Sequence, residues 1–445
     1  MTLDLSQALG GSVGPPLPVS GWSIDSRTLE AGDAFFALKG PSHDGHDHVA
    51  DAARRGAAAV VVSRQVDAGI PTFLVPDTLQ ALQDSARYAR SKWNGNVVAV
   101  TGSAGKTSSK DAIAHLLSGA FRTGKTVGNF NNHFGLPLSI LRLPGDCTHA
   151  VLELGMNHAG EIRELARIAR PQAGVVTNVG YAHIEFFDSI EGIALAKREL
   201  IEELPADGLA VLNADDPRVA RFGEVHSGPV VTYGLSEDAD VRATNVVTGV
   251  EGSQFQVDGL RYQIPMAGVH SVRNVLAAIA VGRHFGVPDS VMQQQASTLT
   301  AARMRGERIV VNGITVWNDC YNSNPEAVRS MVEVLRNTPG ARRIAVLGEM
   351  LELGAASDDL HRETGSFVAA SGIDVLIGVR GAAREMVNGA VAAGLKSGTH
   401  FFEDAESAGD FVRQIARPGD VILFKGSRGV RVERAMQRLI EEAVQ

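Results

Sequence analysis

Cysteine is nearly absent: Cys147 and Cys320 are the only two in 445 residues. So few thiols in so large a chain fit a reducing compartment, with both expected as buried small side chains rather than a disulfide or metal site. No run approaches the eighteen or so apolar residues of a membrane span. The first thirty residues lack a basic start and an apolar signal core, so a cytoplasmic protein is expected. Positive charge is in deficit: 42 Lys and Arg against 50 Asp and Glu leave a net charge of -8. That excludes the basic field of a nucleic-acid surface, and an anionic substrate must be met by local cations. Internal repeats and low-complexity tracts are missing too. What is present, 44% hydrophobic and 21% charged residues, describes a well-cored soluble chain of about three domains.

The stretch Val97-Val-Ala-Val-Thr-Gly-Ser-Ala-Gly-Lys-Thr107 reads as a buried strand turning into a helix, whose Ile113, Leu116, Leu117 and Ala120 repeat at helical spacing. Gly102 and Gly105 let the backbone approach an anion. The N–H groups opening the helix and the Lys106 ammonium offer positive charge to phosphate oxygens, and the Thr107 hydroxyl suits the magnesium that accompanies a nucleotide. The general phosphate-loop pattern wants glycine where Val100 stands. The tighter form Thr-Gly-x-x-Gly-Lys-Thr predicts nucleotide phosphate binding by Thr101, Gly102, Ser103, Ala104, Gly105, Lys106, Thr107 and the following Ser108.

Residues 1–88 read as a small mixed α/β domain with strands near 33–38, 57–62 and 71–75. Its run His43-Asp-Gly-His-Asp-His48 fits either a metal site or a solvated turn. Residues 89–308 form the central domain. There an apolar strand ends on Glu153, at the strand edge where ligands gather, so a metal ligand and a solvated carboxylate are both open. A strand at 174–178 leads to His183 on the same edge, as ligand or as structural residue. The helix at 189–204 has an apolar face of Ile190, Ile193, Ala194, Ile201 and Leu204, and Lys197 falls on it. Lysine can snorkel; alternatively a desolvated amine has a lowered pKa and becomes reactive. Residues 230–266 alternate as a β excursion, and the helix after Gly268 is expected to close at Pro288.

Residues 309–445 alternate strands (314–317, 343–347, 374–377, 421–424) with helices, implying a second parallel sheet. Its polar loops at 318–325, 348–354 and 425–428 all follow strands and should converge on one edge. The fold class is therefore α/β in three domains: a small mixed N-terminal domain, a central P-loop ATPase-type parallel sheet and a C-terminal Rossmann-like domain. Phosphoryl transfer in an interdomain cleft, by an ATP-dependent enzyme, is as far as patterning reaches.

These residues, with Asp25-Ser-Arg27, Gly32-Asp-Ala-Phe-Phe-Ala-Leu-Lys-Gly40, Gly128-Asn-Phe-Asn-Asn132, Gly135-Leu-Pro137, Ala182-His-Ile-Glu185, Ala196-Lys197, Tyr321-Asn-Ser-Asn-Pro325 and Lys425-Gly-Ser-Arg428, resemble the Mur ligases of peptidoglycan synthesis over nearly the whole chain. The phosphate loop alone would suit any Mur ligase or a folylpolyglutamate synthase. The loop at 129–132 and the Tyr-Asn-x-Asn-Pro string resemble the dipeptide-adding member, and the Asp-Asn-Pro-Arg string of the diaminopimelate- or lysine-adding ligase is missing.

The resemblance implies a two-step ligation. ATP phosphorylates the terminal carboxylate of UDP-N-acetylmuramoyl-tripeptide, and the amine of D-alanyl-D-alanine attacks the acyl phosphate. It implies magnesium; a monomer is expected, and the sequence leaves the oligomeric state open. Carried over by residue, Lys106, Lys197 and His183 are catalytic. Thr107 and Glu153 resemble magnesium ligands and His183 a ligand of a second magnesium. Lys197 matches a lysine that several Mur ligases carry as a carbamate, N6-carboxylysine, which would face metal. Asn274, Arg305 and Asp319 resemble nucleotide contacts, with Arg308 near enough to Arg305 to compete. Ser26, Arg27, Asn131 and Asn132 are expected on the UDP-substrate side, and Tyr321, Asn322, Asn324 and Arg428 on the dipeptide side. His270-Ser271 stands where many relatives carry His-Asn. No base for the incoming amine is identifiable; with an α-amino pKa of about 8, part of it is already neutral. Another amino-acid ligase of the superfamily, or a nucleotide-binding regulatory module, are the alternatives. Glu153, His183 and Lys197 speak against the latter.

Overall fold

The computed structural model describes residues 2–11 and 13–441. Near the N-terminus, β1 (Gly21–Ser23), β2 (Asp33–Phe36), β3 (Ala59–Val62) and β4 (Thr72–Leu74) form a parallel sheet in sequential order. Helix α1 (Thr78–Lys92), capped by Asp77 accepting from Leu79 and Gln80 N–H, leads out of it. Trp22, Phe36, Val61 and Phe73 share one apolar cluster with Leu82 and Ala86 of α1 and with Leu136 and Leu152 further on, so this unit is packed against its neighbour by burial.

The His43–His48 run is a structural turn. His46 is buried, its Nε2 accepts the Ser63 N–H (2.9 Å), and its Nδ1 faces Asp44 (2.6 Å). Among the described residues no group of three or more His, Cys, Asp or Glu is placed to hold a metal.

The central sheet comprises β5 (Asn96–Thr101), β6 (Thr123–Lys125), β7 (His149–Glu153), β8 (Ala173–Val176), β9 (Leu209–Asn213), β10 (Val230–Gly234) and β11 (Val241–Arg242), all parallel in the order β11-β10-β9-β8-β5-β7-β6. Burial on both faces explains why β5 is apolar from Val97 to Val100. Val97 and Ala99 enter the cluster toward the N-terminal unit, whereas Val98 and Val100 enter the one beneath α2 (Lys106–Ser118). Ala120 departs from the expected apolar face: it lies in the turn after α2 and is exposed. On the first face lie α3 (Glu161–Ala169) and α4 (Ile190–Glu202), the latter capped by Ser189. The β excursion divides: β10 and β11 complete the parallel sheet, while β12 (Thr244–Gly249), β13 (Gly252–Val257) and β14 (Leu260–Ile264) form a separate antiparallel one. Helix α5 (Val269–His284) ends before Pro288, which starts a further helix, α6 (Asp289–Ser297).

Arg90 ties α1 to the central sheet. Its guanidinium, almost fully buried, donates to the carbonyls of Ala169 (2.8 Å), Arg170 (3.1 Å) and Trp93 (2.7 Å) and to Gln172 Oε1 (3.2 Å). Those carbonyls include the unsatisfied end of α3. Arg90→Ala is expected to lower unfolding free energy by about 3 kcal/mol, since several buried acceptors lose a charged donor; the urea midpoint measures it, and a change near zero contradicts it.

The last sheet, β15 (Glu307–Val311), β16 (Ile314–Asp319), β17 (Arg342–Gly348), β18 (Val375–Val379), β19 (Thr399–Phe402) and β20 (Asp420–Lys425), has the order β15-β16-β20-β17-β18-β19. It is parallel except for β15, which pairs antiparallel with β16 as a hairpin, so the expected all-parallel sheet carries one reversed edge strand. Helix α7 (Pro325–Asn337) follows β16. Both cysteines are free and buried. Among the described residues no helix is long and apolar enough to cross a membrane.

Candidate active site

The carboxyl ends of β5, β7, β8 and β9 and those of β16, β17 and β20 open on one cavity of about 850 Å³. Two parallel sheets thus present their ligand-gathering edges to a common space. The three C-terminal loops do converge: all three contribute to its wall.

The phosphate loop is braced from β8. Ser103 N–H donates to Asn178 O (3.0 Å), Ala104 N–H to Asn178 Oδ1 (2.8 Å), and Thr177 Oγ1 to Ala104 O (2.6 Å). Gly105, at φ +79°, makes the left-handed step that starts α2, a conformation a side chain would resist. Lys106 Nζ donates to Gly102 O at 2.6 Å. Burial pushes the Lys106 pKa down, with Glu153 and Glu352 opposing that and Arg305 adding to it.

Glu153, at the end of β7, is 3% exposed. Its Oε2 accepts the Thr107 hydroxyl (2.8 Å) and its Oε1 the Asn131 amide (2.8 Å). One carboxylate, one hydroxyl and one amide converging on a phosphate loop suit Mg²⁺, which takes few protein oxygens and fills its shell with water and phosphate. His183, at φ +66°, places Nδ1 2.5 Å from Glu352 Oε2. That contact holds the Glu352 carboxyl below its ordinary value against the opposing effect of burial. Lys197 is 1% exposed, its side chain forms no hydrogen bond or ion pair among the described residues, and it is not among the residues lining the cavity. Burial first, then the Lys106 charge, drive its pKa well down.

Asn274 Oδ1 accepts the Ser109 hydroxyl (3.0 Å) beside the loop. Arg305 stacks on the Tyr321 ring at 3.9 Å. Arg308 instead pairs with Glu251 (2.7 Å). Asp319 holds the buried Lys425 ammonium at 2.5 Å, which also donates to Asn322 O (2.8 Å).

Several of the expected residues are engaged by the protein itself; of those, Ser103, Asn131, Asn132, Asn324 and Arg428 line the cavity. Thr101 is fully buried with its hydroxyl on Leu154 O (2.9 Å), and neither it nor Gly102 lines the cavity. The Ser103 hydroxyl bridges to the Gly180 backbone. Asn131 stands on Glu153, while Asn132 Oδ1 accepts Gly135 N–H (2.9 Å). Ser26 and Arg27 are not among the cavity walls; Arg27, 84% exposed, forms a two-point pair that pulls the Asp25 carboxyl down to about 2. Asn324 Oδ1 caps α7 through Ala327 N–H (2.9 Å), and Arg428 pairs with Glu433 (2.5 Å). Ser108 does line the cavity. Sequence reasoning missed Asn178, Glu326, Glu352 and Lys425. All four lie in or beside strings it singled out, but their partners come from distant segments.

Residues 18–91 match the Mur ligase family catalytic domain, 100–282 the Mur ligase middle domain and 304–428 the Mur ligase glutamate ligase domain. A UDP-N-acetylmuramoyl-tripeptide–D-alanyl-D-alanine ligase of Bacillus subtilis is 36% identical over 95% of this chain and 93% of its own length. The solved MurF structure from Acinetobacter baumannii superposes with a TM-score of 0.91 at 31% identity, covering 99% of both chains. MurF of Thermotoga maritima in complex with ADP gives 0.84 at 30%, covering 96% of this chain and 98% of that one. With such likeness along its entire length, the chain belongs to the Mur ligase family, within its UDP-N-acetylmuramoyl-tripeptide–D-alanyl-D-alanine ligase branch.

Proposed function

We propose that this protein joins D-alanyl-D-alanine to UDP-N-acetylmuramoyl-tripeptide, with ATP converted to ADP and phosphate. The observation carrying this is the single cavity in which a phosphate loop and the loops of a second α/β sheet meet, in a chain alike throughout its length to ligases of that name.

In the first step a carboxylate oxygen of the tripeptide attacks the γ-phosphorus of ATP, the bond to the β-phosphate oxygen breaks, and ADP leaves. Lys106 and the N–H groups opening α2 hold the phosphate charge. Thr107 and Glu153, with Asn131 beside them, would hold a Mg²⁺ that would neutralise charge on the phosphate oxygens. His183 keeps Nε2 for a second ion, because Glu352 engages Nδ1. Asn274, Arg305 and Asp319 border the nucleotide; Arg27 presents its charge to the UDP end, with Ser26 beside it.

In the second step the dipeptide amine attacks the acyl carbon, the C–O bond to phosphate breaks, and the amine loses a proton. Tyr321, Asn322 and Arg428 face this acceptor, while Asn324 acts by shaping α7. Lys197 would carry a carbamate: its neutral nitrogen would bond to CO2 and release a proton, giving an anion within the field of the Lys106 charge.

The test is ADP and pentapeptide formation from ATP, magnesium, UDP-N-acetylmuramoyl-tripeptide and D-alanyl-D-alanine. ADP release that depends on both peptide substrates is expected. Turnover only with single amino acids, or with folate and glutamate, defeats the proposal.

A further inference from the structure

Glu326 stands in the first turn of α7 and is used by none of the chemistry above. Its Oε1 accepts the Tyr181 N–H (3.1 Å) from the loop after β8, across the seam between the central and C-terminal sheets. Its Oε2 is shut from solvent and has no hydrogen-bond partner. The carboxylate lies flat against Gly180: a Cβ built there would fall 2.4 Å from Glu326 Cδ. Gly180 in turn exchanges two hydrogen bonds with the Ser103 hydroxyl (2.8 and 3.1 Å), and Ser103 O accepts the Asn324 amide (3.3 Å). Phosphate loop, β8 loop and α7 thus close a ring of contacts. Tyr181 and Ile184 also pack on the C-terminal core.

We propose that Glu326 is the positioning residue that seats the C-terminal α/β unit, and with it the acceptor dipeptide, on the phosphate-loop module for amide formation. This rests on the ligase reading above. The groups facing it are its own backbone N–H, the Tyr181 N–H, Arg329 and Asp216; Arg329 also lies over the Phe367 ring (5.4 Å), and Asp216 accepts Val179 N–H (2.8 Å). Burial raises the Glu326 pKa, and the Arg329 charge opposes this only in part. The seat gains a hydrogen bond and loses hydration of a charge, so it is shallow and reversible. An uncharged isostere keeps the acceptor oxygen and removes most of that loss.

The experiment compares Glu326→Ala, Glu326→Gln, Gly180→Ala and the double variant Gly180→Ala/Glu326→Ala with the wild-type enzyme. Hydroxylamine serves as a small acceptor for the first step, since it attacks the acyl phosphate without needing a docked dipeptide. Expected for Glu326→Ala is a KM for D-alanyl-D-alanine raised about tenfold, the worth of one buried hydrogen bond. Hydroxamate formation and the KM for ATP should stay within about threefold. Glu326→Gln should match the wild type or bind dipeptide more tightly. Gly180→Ala should raise the dipeptide KM, and the double variant should recover part of that loss by giving the added methyl room.

The inference is overturned if Glu326→Ala leaves the dipeptide KM unchanged, if Glu326→Gln is as impaired as Glu326→Ala, or if hydroxamate formation falls in step with ligation. Failure of the ligase reading is a separate result, because then the wild-type protein itself forms no dipeptide-dependent product.

Discussion

Replacement of Lys106 by methionine is expected to lower kcat by about three orders of magnitude, the scale on which a preorganised cationic partner of a transferring phosphoryl group acts. Its ammonium is anchored on Gly102 O at 2.6 Å and sits within the fields of Glu153 and Glu352. Phosphate adds negative charge to a site where burial already disfavours the ammonium, so the interaction strengthens as charge builds on the phosphoryl oxygens. Methionine keeps the stem and removes only the charge. The apo protein should therefore unfold at or near the wild-type midpoint, while the added stability conferred by saturating nucleotide shrinks. Single-turnover ADP release and thermal unfolding with and without ADP measure both halves. ADP-forming turnover within tenfold of wild type contradicts the assignment.

Lys197→Ala is expected to remove turnover to a similar extent, about a thousandfold, with partial recovery on adding formate or acetate. This amine is 1% exposed and unpaired, and burial together with Lys106 keeps it neutral enough to take up CO2. Alanine leaves a void that a short carboxylate can enter. Lys197→Met fills the void and should resist rescue, while its unfolding midpoint stays at or above wild type, because a buried unpaired amine has been exchanged for a thioether. Intact-mass measurement in bicarbonate buffer should find the wild-type chain heavier by one CO2. Full activity of Lys197→Ala without added carboxylate removes the carbamate from the account.

Both residues were legible in the sequence for the same reason: each breaks a local rule. Lys106 ends a glycine turn between strand and helix, and Lys197 interrupts an apolar helix face. The strands β5, β7 and β20 were legible because burial on both faces makes them continuous apolar runs. By contrast, β15 alternates exposed and half-buried residues at a sheet edge, and β19 is only half-buried, so neither stands out from a loop. Glu326 and Glu352 look like ordinary surface acids until the fold brings them to Tyr181 and His183, over a hundred residues away in the chain. Ser103 and Asn131 were legible as members of polar loops. What was not legible is that the serine hydroxyl binds the β8 loop and that the asparagine amide supports Glu153, because a side chain's direction depends on which strand end lies beside it.

The opposed sheet edges have a chemical consequence for how faithfully ATP consumption is tied to product. An acyl phosphate reacts with water as well as with an amine, and each hydrolysis returns the starting carboxylate after an ATP has been lost. Because the phosphate loop and the acceptor loops open on one shared cavity, the mixed anhydride is made and consumed in the same walled space, and the fit between the two sheet edges sets how many water molecules attend it. The ratio of ADP released to amide formed is thus a direct gauge of that fit. A chain whose seam is loosened anywhere along its length would keep making ADP while its yield of peptide fell.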